Sequence, residues 1–179
     1  KGFLDGDVKL ADDEYNKLQL PVLGDINNYE IKDDDVFICA VAEPSVKEKL
    51  VNRILERGGT FINVVHKTAR IHATARMGIG NILSPSSCIH DNAVIGDFIS
   101  VNCASGFGHD AYVGDYTTLS SGVDIMGYVS VGKRCFFASG SRVLPHGKVE
   151  DDVYVGVLSA VFKKAKASTK VFGNPAMPV

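Results

Sequence analysis

The chain has 179 residues, 45% of them hydrophobic and 22% charged, with a formal net charge of -2. That length can bury a real core in one or two domains, and the balance of charge lacks the basic excess of a dedicated nucleic-acid or membrane-surface binder. Neither a run of about 18 apolar residues nor a basic start followed by an apolar centre is present, so no membrane insertion is expected. Cys39, Cys88, Cys103 and Cys135 form no CxxC pair and read as free thiols, which points to a reducing, cytoplasmic compartment.

Residues 1–62 read as a small α/β unit. GFL (2–4) is a short apolar run ending in the turn signal Asp5-Gly6-Asp7. VFICAVA (36–42) predicts a strand buried on both faces. Pro44-Ser45 follows, and Ser45 with Glu48 three residues on predicts a capping box for a helix through Leu50, Val51, Ile54 and Leu55. Arg57-Gly58-Gly59 stops that helix, and FINVV (61–65) predicts a second strand, which makes a parallel crossover unit. The chain opens on KGFLDGD, itself strand-like, so it reads as an excerpt of a longer one.

From Val65 the period changes. Every sixth residue from Val65 to Val161 is apolar, seventeen in succession, including Phe107, Val113, Ile125, Phe137 and Val155. At this composition, chance produces such a run on the order of once in a million, and periods of 3.6 or 2 do not generate it. Four residues after most of these positions stands a small or β-branched residue such as Ala75, Ala93, Ser105 or Thr117. One residue after, glycine recurs at 78, 96, 108, 114, 132 and 156, read as the permissive residue of a bend. Three hexads make one triangular coil, so residues 63–166 predict a parallel β-helix of nearly six coils. The phase breaks at Ala167, and residues 167–179 read as a terminal cap that covers an open strand edge.

Within the repeat, FGHDAYVGDYTT (107–118) sets His109 beside Asp110 between two glycines. By itself the pair suits either a solvated turn or a base with its orienting carboxylate. A histidine of ordinary pKa near 6.5 accepts a proton at neutral pH, and a carboxylate on its far ring nitrogen selects the tautomer. Phe107 takes the inward position, so His109 points outward.

The unbroken hexads, GFLDGD, PVLGDI (21–26), GGTFINVVH, HDAYVGDYTTLSSGVDIMGYVSVG (109–132) and VFGNPA (171–176) resemble the hexapeptide-repeat acetyltransferases, in particular their sialic-acid and bacillosamine branch. The resemblance implies a left-handed β-helix assembled as a homotrimer, preceded by a Rossmann-like nucleotide-sugar-binding domain whose first βα unit is absent here. It implies acetyl transfer from acetyl-CoA to an amino group of a nucleotide-linked amino sugar for surface glycan synthesis. Sugar O-acetylation and a non-catalytic scaffold are the alternatives. By that resemblance His109 is the general base and Asp110 its partner. Thr118, Gly127, Ser139 and Val157 meet acetyl-CoA, backbone N–H groups near Gly127 hold the oxyanion, and Asp5, Gly6 and Asn102 meet the sugar. Thr118 stands where some members carry a second histidine. A zinc site like that of β-helical carbonic anhydrases needs two histidines about five apart, whereas the gaps here are 6, 18, 19 and 37, so no metal is expected. His66, His72, His90 and His146 read as surface or corner residues, and Lys163, Lys164, Lys166 and Lys170 as a solvated tail.

Overall fold

The computed structural model describes residues 1–5 and 20–179. Gly6 and the turn it was expected to form lie outside the described residues. From Val64 onward the chain winds through two-residue strands that stack in register with the strand 18 residues away, so one coil is three hexads. Three parallel faces result. The first holds seven parallel strands from Val64–Val65 to Lys170–Phe172; the second runs from Arg70–Ile71 to Ala160–Val161; the third runs from Arg76–Met77 to Lys164–Ala165. The second and third have six strands each, so the prism has six coils and one strand of a seventh.

The seventeen apolar positions form the core of this prism. From Leu83 to Val161 every one is at most 3% exposed, because each side chain stacks on its counterpart in the coils above and below. Among the described residues no coil lies beneath Val65 and Ile71, which are 42% and 41% exposed. Each bend places a residue in the left-handed region three positions after the inward one: Asn92, Phe98, Ala104, Asp110, Tyr116 and Tyr128 all have φ between 55° and 61°. The glycines one position after the inward residue do not serve the bend. They are needed because neighbouring coils approach too closely for a Cβ, which at Gly108 would lie 2.6 Å from Gly127 N and at Gly114 2.8 Å from Gly132 C. Polar side chains on the coil spacing complete the stack. Asn81 is fully buried, its Oδ1 accepting from Ile99 N–H and its Nδ2 donating to Gly96 O.

The repeat slips earlier than Ala167. Val149 pairs with Ala165 and Val155 with Val171, offsets of 16 where the other coils have 18, so two residues are lost in the corner after Val161. The hexad then resumes. Met177–Pro178 folds back antiparallel on Lys170–Phe172, and Ala176 N–H donates to Ala160 O. The tail thereby closes hydrogen-bonding groups on the last coil.

The described N-terminal residues form two small sheets and one helix. β1 (Phe3–Leu4) pairs in parallel with β2 (Val22–Gly24), and β3 (Val36–Phe37) with β4 (Thr60–Phe61), as two separate sheets. A Rossmann-like sheet is not formed among the described residues. The strand expected over 36–42 ends at Phe37, and Val36 and Ile38 are exposed rather than buried on both faces. The second expected strand divides, β4 staying with β3 while Val64–Val65 opens the prism. α1 (Pro44–Leu55) begins one residue before the expected cap. Glu43 is its N-cap and Pro44 its first residue, so Ser45 falls inside the first turn and makes no capping bond. Pro44, Lys47, Val51 and Ile54 form its buried stripe.

That stripe and β3–β4 pack on the corner between the third and first faces. Phe61 meets Phe98 edge-on at 5.1 Å, Phe98 stacks on Tyr116 at 5.3 Å, and Val51 and Ile54 complete the cluster. Arg134 ties the same corner to α1 through Glu48 at 3.5 Å while gripping Asp152 at 2.7 Å.

Candidate active site

His109 and Asp110 occupy the corner between the second and third faces. Gly106–Phe107 ends the second face and Tyr112–Val113 begins the third. With Phe107 and Ala111 anchored inside, the bend has to turn outward between them, and its polar residues face solvent. Asp110 adopts φ +57°, which aspartate tolerates better than most side chains. His109 Nδ1 lies 2.9 Å from Asp110 Oδ2, and Asn92 Nδ2 donates to the other carboxylate oxygen at 3.3 Å. A carboxylate only accepts, so Nδ1 carries the hydrogen and Nε2 keeps its lone pair free to take a proton.

Two further residues position the imidazole. Tyr128, one coil above Asp110, meets the ring edge-on at 5.0 Å, and its N–H donates to His109 O at 3.0 Å. Gly127, one coil above His109 itself, has no side chain where one would collide with the ring. A Cβ there would lie 2.7 Å from Nε2 and 2.9 Å from Cε1. Gly127→Ala is therefore expected to turn the half-exposed ring aside and lower turnover by about tenfold or more, with the melting temperature little changed. Unaltered kinetics in that variant would show that the ring has room to spare.

The other expected residues divide. Asn102 lies at the corner between the first and second faces, and so do Ser139 and Val157, which stand one coil apart with Leu158 N–H donating to Ser139 O. The second face thus has His109, Asp110 and Gly127 along one edge and Asn102, Ser139 and Val157 along the other. Between them lies a shallow cavity of about 310 Å³ bordered by Cys88, Gly106, Gly108, Asp124 and Arg142. Its floor is low because Gly106 sits where a Cβ would press against Cys88 O at 2.4 Å. Asp5 is elsewhere: its N–H donates to Gly24 O, and its neighbour Leu4 packs in the cluster around Phe98, on the corner away from His109.

Thr118 departs most from expectation. It is fully buried on the first face beneath α1, and its hydroxyl accepts from Lys47 Nζ at 2.7 Å. No surface of this side chain is left within the chain for an acetyl group. Lys47 is 1% exposed, and its ammonium donates also to Ser100 Oγ at 3.0 Å and Phe98 O at 3.1 Å. Burial pulls its pKa down to about 8, against the opposing influence of Cys39 and Glu43. Its place was visible in the sequence as a lysine one turn before Val51 on the apolar stripe.

The resemblance read from the motifs holds: the structural neighbours include a perosamine N-acetyltransferase, and the curated relative is a serine acetyltransferase. No family model matches the chain. Serine acetyltransferase from Mycobacterium tuberculosis is 32% identical over 117 residues, 60% of this chain and 51% of that protein, so the chain spans about half the length of this curated relative. PerB from Caulobacter crescentus, solved in complex with CoA and GDP-perosamine, superposes with a TM-score of 0.86 at 26% identity over 90% of this chain and 80% of PerB. WeeI from Acinetobacter baumannii superposes with a TM-score of 0.90, also at 26% identity, over 99% of this chain and 85% of its own. The acetyltransferase domain of PglB from Neisseria gonorrhoeae, in complex with acetyl coenzyme A, shares the fold with a TM-score of 0.89 at 20% identity, covering 99% and 85%.

Proposed function

We propose that this chain transfers an acetyl group from acetyl-CoA to the amino group of a nucleotide-linked amino sugar, with His109 as general base. The observation that carries this reading is the corner dyad, whose free Nε2 faces out beside a cavity on the second face. The likeness to PerB, solved with CoA and GDP-perosamine, supports the choice of donor and acceptor.

The chemistry follows from the dyad. As the amine nitrogen attacks the thioester carbonyl, Nε2 takes its proton, and the carboxylate of Asp110 stabilises the imidazolium that forms. The carbonyl oxygen becomes an oxyanion, which in this reading the backbone near Gly127 receives. Collapse of the tetrahedral intermediate breaks the carbon–sulfur bond, and the imidazolium returns its proton to the departing thiolate. The product is an N-acetylated sugar and free CoA.

In this reading the pantetheine runs along the second face past Gly127, Ser139 and Val157, and the sugar lies toward Asn102. Winding is left-handed, and three prisms pack with their second-face edges against neighbours as a homotrimer. Because Asp5 and His109 lie on different corners of one chain, a sugar touching both spans two copies. Residues 1–62 serve the acceptor, 63–166 the transfer and 167–179 the closure of the last coil. Cys39, Cys88, Cys103 and Cys135 are all free, consistent with a cytoplasmic site of action in surface-glycan synthesis. No helix among the described residues is long and apolar enough to cross a membrane.

The direct test is thiol release from acetyl-CoA in the presence of a panel of nucleotide-amino sugars, nucleotide-hydroxy sugars and free sialic acid. Release with the amino sugars alone is expected. Release with hydroxyl acceptors only would move the reading to O-acetylation, and failure to bind acetyl-CoA at all would leave the prism a scaffold.

A further inference from the structure

The corner that carries His109 continues below it, toward the first coil, with a second group of side chains that the transfer chemistry does not use. One coil is 18 residues, so His72 and His90 hold the same place in successive coils, their rings 4.8 Å apart and tilted by 35°. Cys88 precedes His90 by two residues on the adjoining strand. One donor atom from each of His72, Cys88 and His90 lies within 4.8 Å of the others. All three border an open cavity of about 370 Å³.

The group is oriented as a ligand set. His72 Nδ1 lies 2.9 Å from Asp91 Oδ2, and Asp91 Oδ1 accepts the Thr74 hydroxyl at 3.0 Å. This pair holds the His72 ring and leaves its Nε2 lone pair for a ligand, the outer-sphere arrangement that metal-bound histidines show. Bonds of 2.0–2.3 Å put tetrahedral ligand atoms roughly 3.3–3.8 Å apart, so the three must close by about an ångström. His90 is exposed and His72 and Cys88 are only partly buried, which leaves them room to rotate. Arg70 also borders the cavity. Two imidazoles and a thiolate select zinc-class cations over magnesium or calcium.

We infer that His72, Cys88 and His90 bind a zinc-class divalent cation that ties the first coil to the second, with the fourth coordination position open to the cavity. The place suits a staple. Val65 and Ile71 are exposed at this end, and among the described residues no coil lies beneath to hold the first. Neither His109 nor Asp110 contributes a ligand, although Cys88 and His90 also border the second-face cavity beside that pair.

The test uses the untagged chain, freed of metal by chelation and titrated with cobalt(II) and then zinc. About one cobalt per chain is expected, with intense visible bands of tetrahedral coordination and a near-ultraviolet thiolate-to-cobalt band, both displaced by zinc. Zinc should raise the melting temperature by several degrees, since the three ligands are brought together only in the folded chain. Cys88→Ser should abolish the ultraviolet band, and both it and His90→Gln should weaken zinc binding by about tenfold or more, while His146→Gln leaves both signals intact. Absence of the thiolate band in the unaltered chain, or zinc affinity unchanged in Cys88→Ser, would overturn the assignment.

Discussion

His109→Ala is expected to lower turnover by about two orders of magnitude or more, the usual worth of a general base, while the chain stays folded. The side chain is 58% exposed and contributes no core packing. The coil below it is held by Phe107, Val113 and backbone ladders that the substitution leaves in place. A hundredfold loss corresponds to about 2.7 kcal/mol of transition-state stabilisation. The loss should fall on the rate constant rather than on the KM for acetyl-CoA, because the ring acts on the proton of the attacking amine. Asp110→Asn, which keeps the shape but weakens the hold on the tautomer, should fall between the variant and the parent. Near-full turnover in His109→Ala would sink the assignment of the base.

Thr118→Val is expected to cost about 2–3 kcal/mol of stability, the worth of a buried hydrogen bond to a charged group, with kcat and KM unchanged. Valine matches threonine in shape, so the variant deletes only the hydroxyl that accepts from Lys47. An elevated KM for acetyl-CoA at unchanged stability would instead return Thr118 to the coenzyme site. The same lysine makes stability depend on pH. Its folded pKa of about 8 lies below the ordinary 10.5, so between those values the unfolded chain holds the proton more tightly. Unfolding then takes up a proton, and stability rises with pH by up to about 1.4 kcal/mol per unit. Burial pushes the Cys135 thiol up to about 12 from its ordinary 9, which works the other way above pH 9. Urea unfolding should therefore show stability climbing from pH 8 to 9 and flattening beyond, and Lys47→Met should lose the climb.

The repeat could be read from the sequence because its cause is local and periodic. One inward side chain per face is needed in every coil, so the apolar phase marks each face directly. The phase also predicted that His109 points outward. Glycine was recognised but its reason was misread, since nothing along one coil reveals how near the next coil lies. The N-terminal strands were overextended for a similar reason: VFICAVA is apolar enough for a buried strand, yet only Val36–Phe37 pairs with a neighbour. Helix α1 was placed correctly, but its cap was given to Ser45 because the capping pattern there competes with proline at the first helical position.

For the site, sequence spacing reached as far as contacts made within one bend. His109 and Asp110 are adjacent, so their bond needs no knowledge of the fold. Gly127 against His109 and His72 against His90 are each one coil of 18 residues apart, a period already present in the hexads but not applied to the histidine gaps. Lys47 and Thr118 lie 71 residues apart in different elements, and no periodicity links them.

The sequence alone therefore determined a parallel prism with an outward histidine–aspartate pair, because burial at a fixed period dictates which residues turn in and which turn out. Only the tertiary structure decided what stands across each corner: an empty Cβ position over the imidazole, a lysine closing over Thr118, and two histidines with a cysteine around one cavity. Those meetings depend on the rise between coils and on where α1 docks, and neither distance is written in the pattern of a single strand of residues.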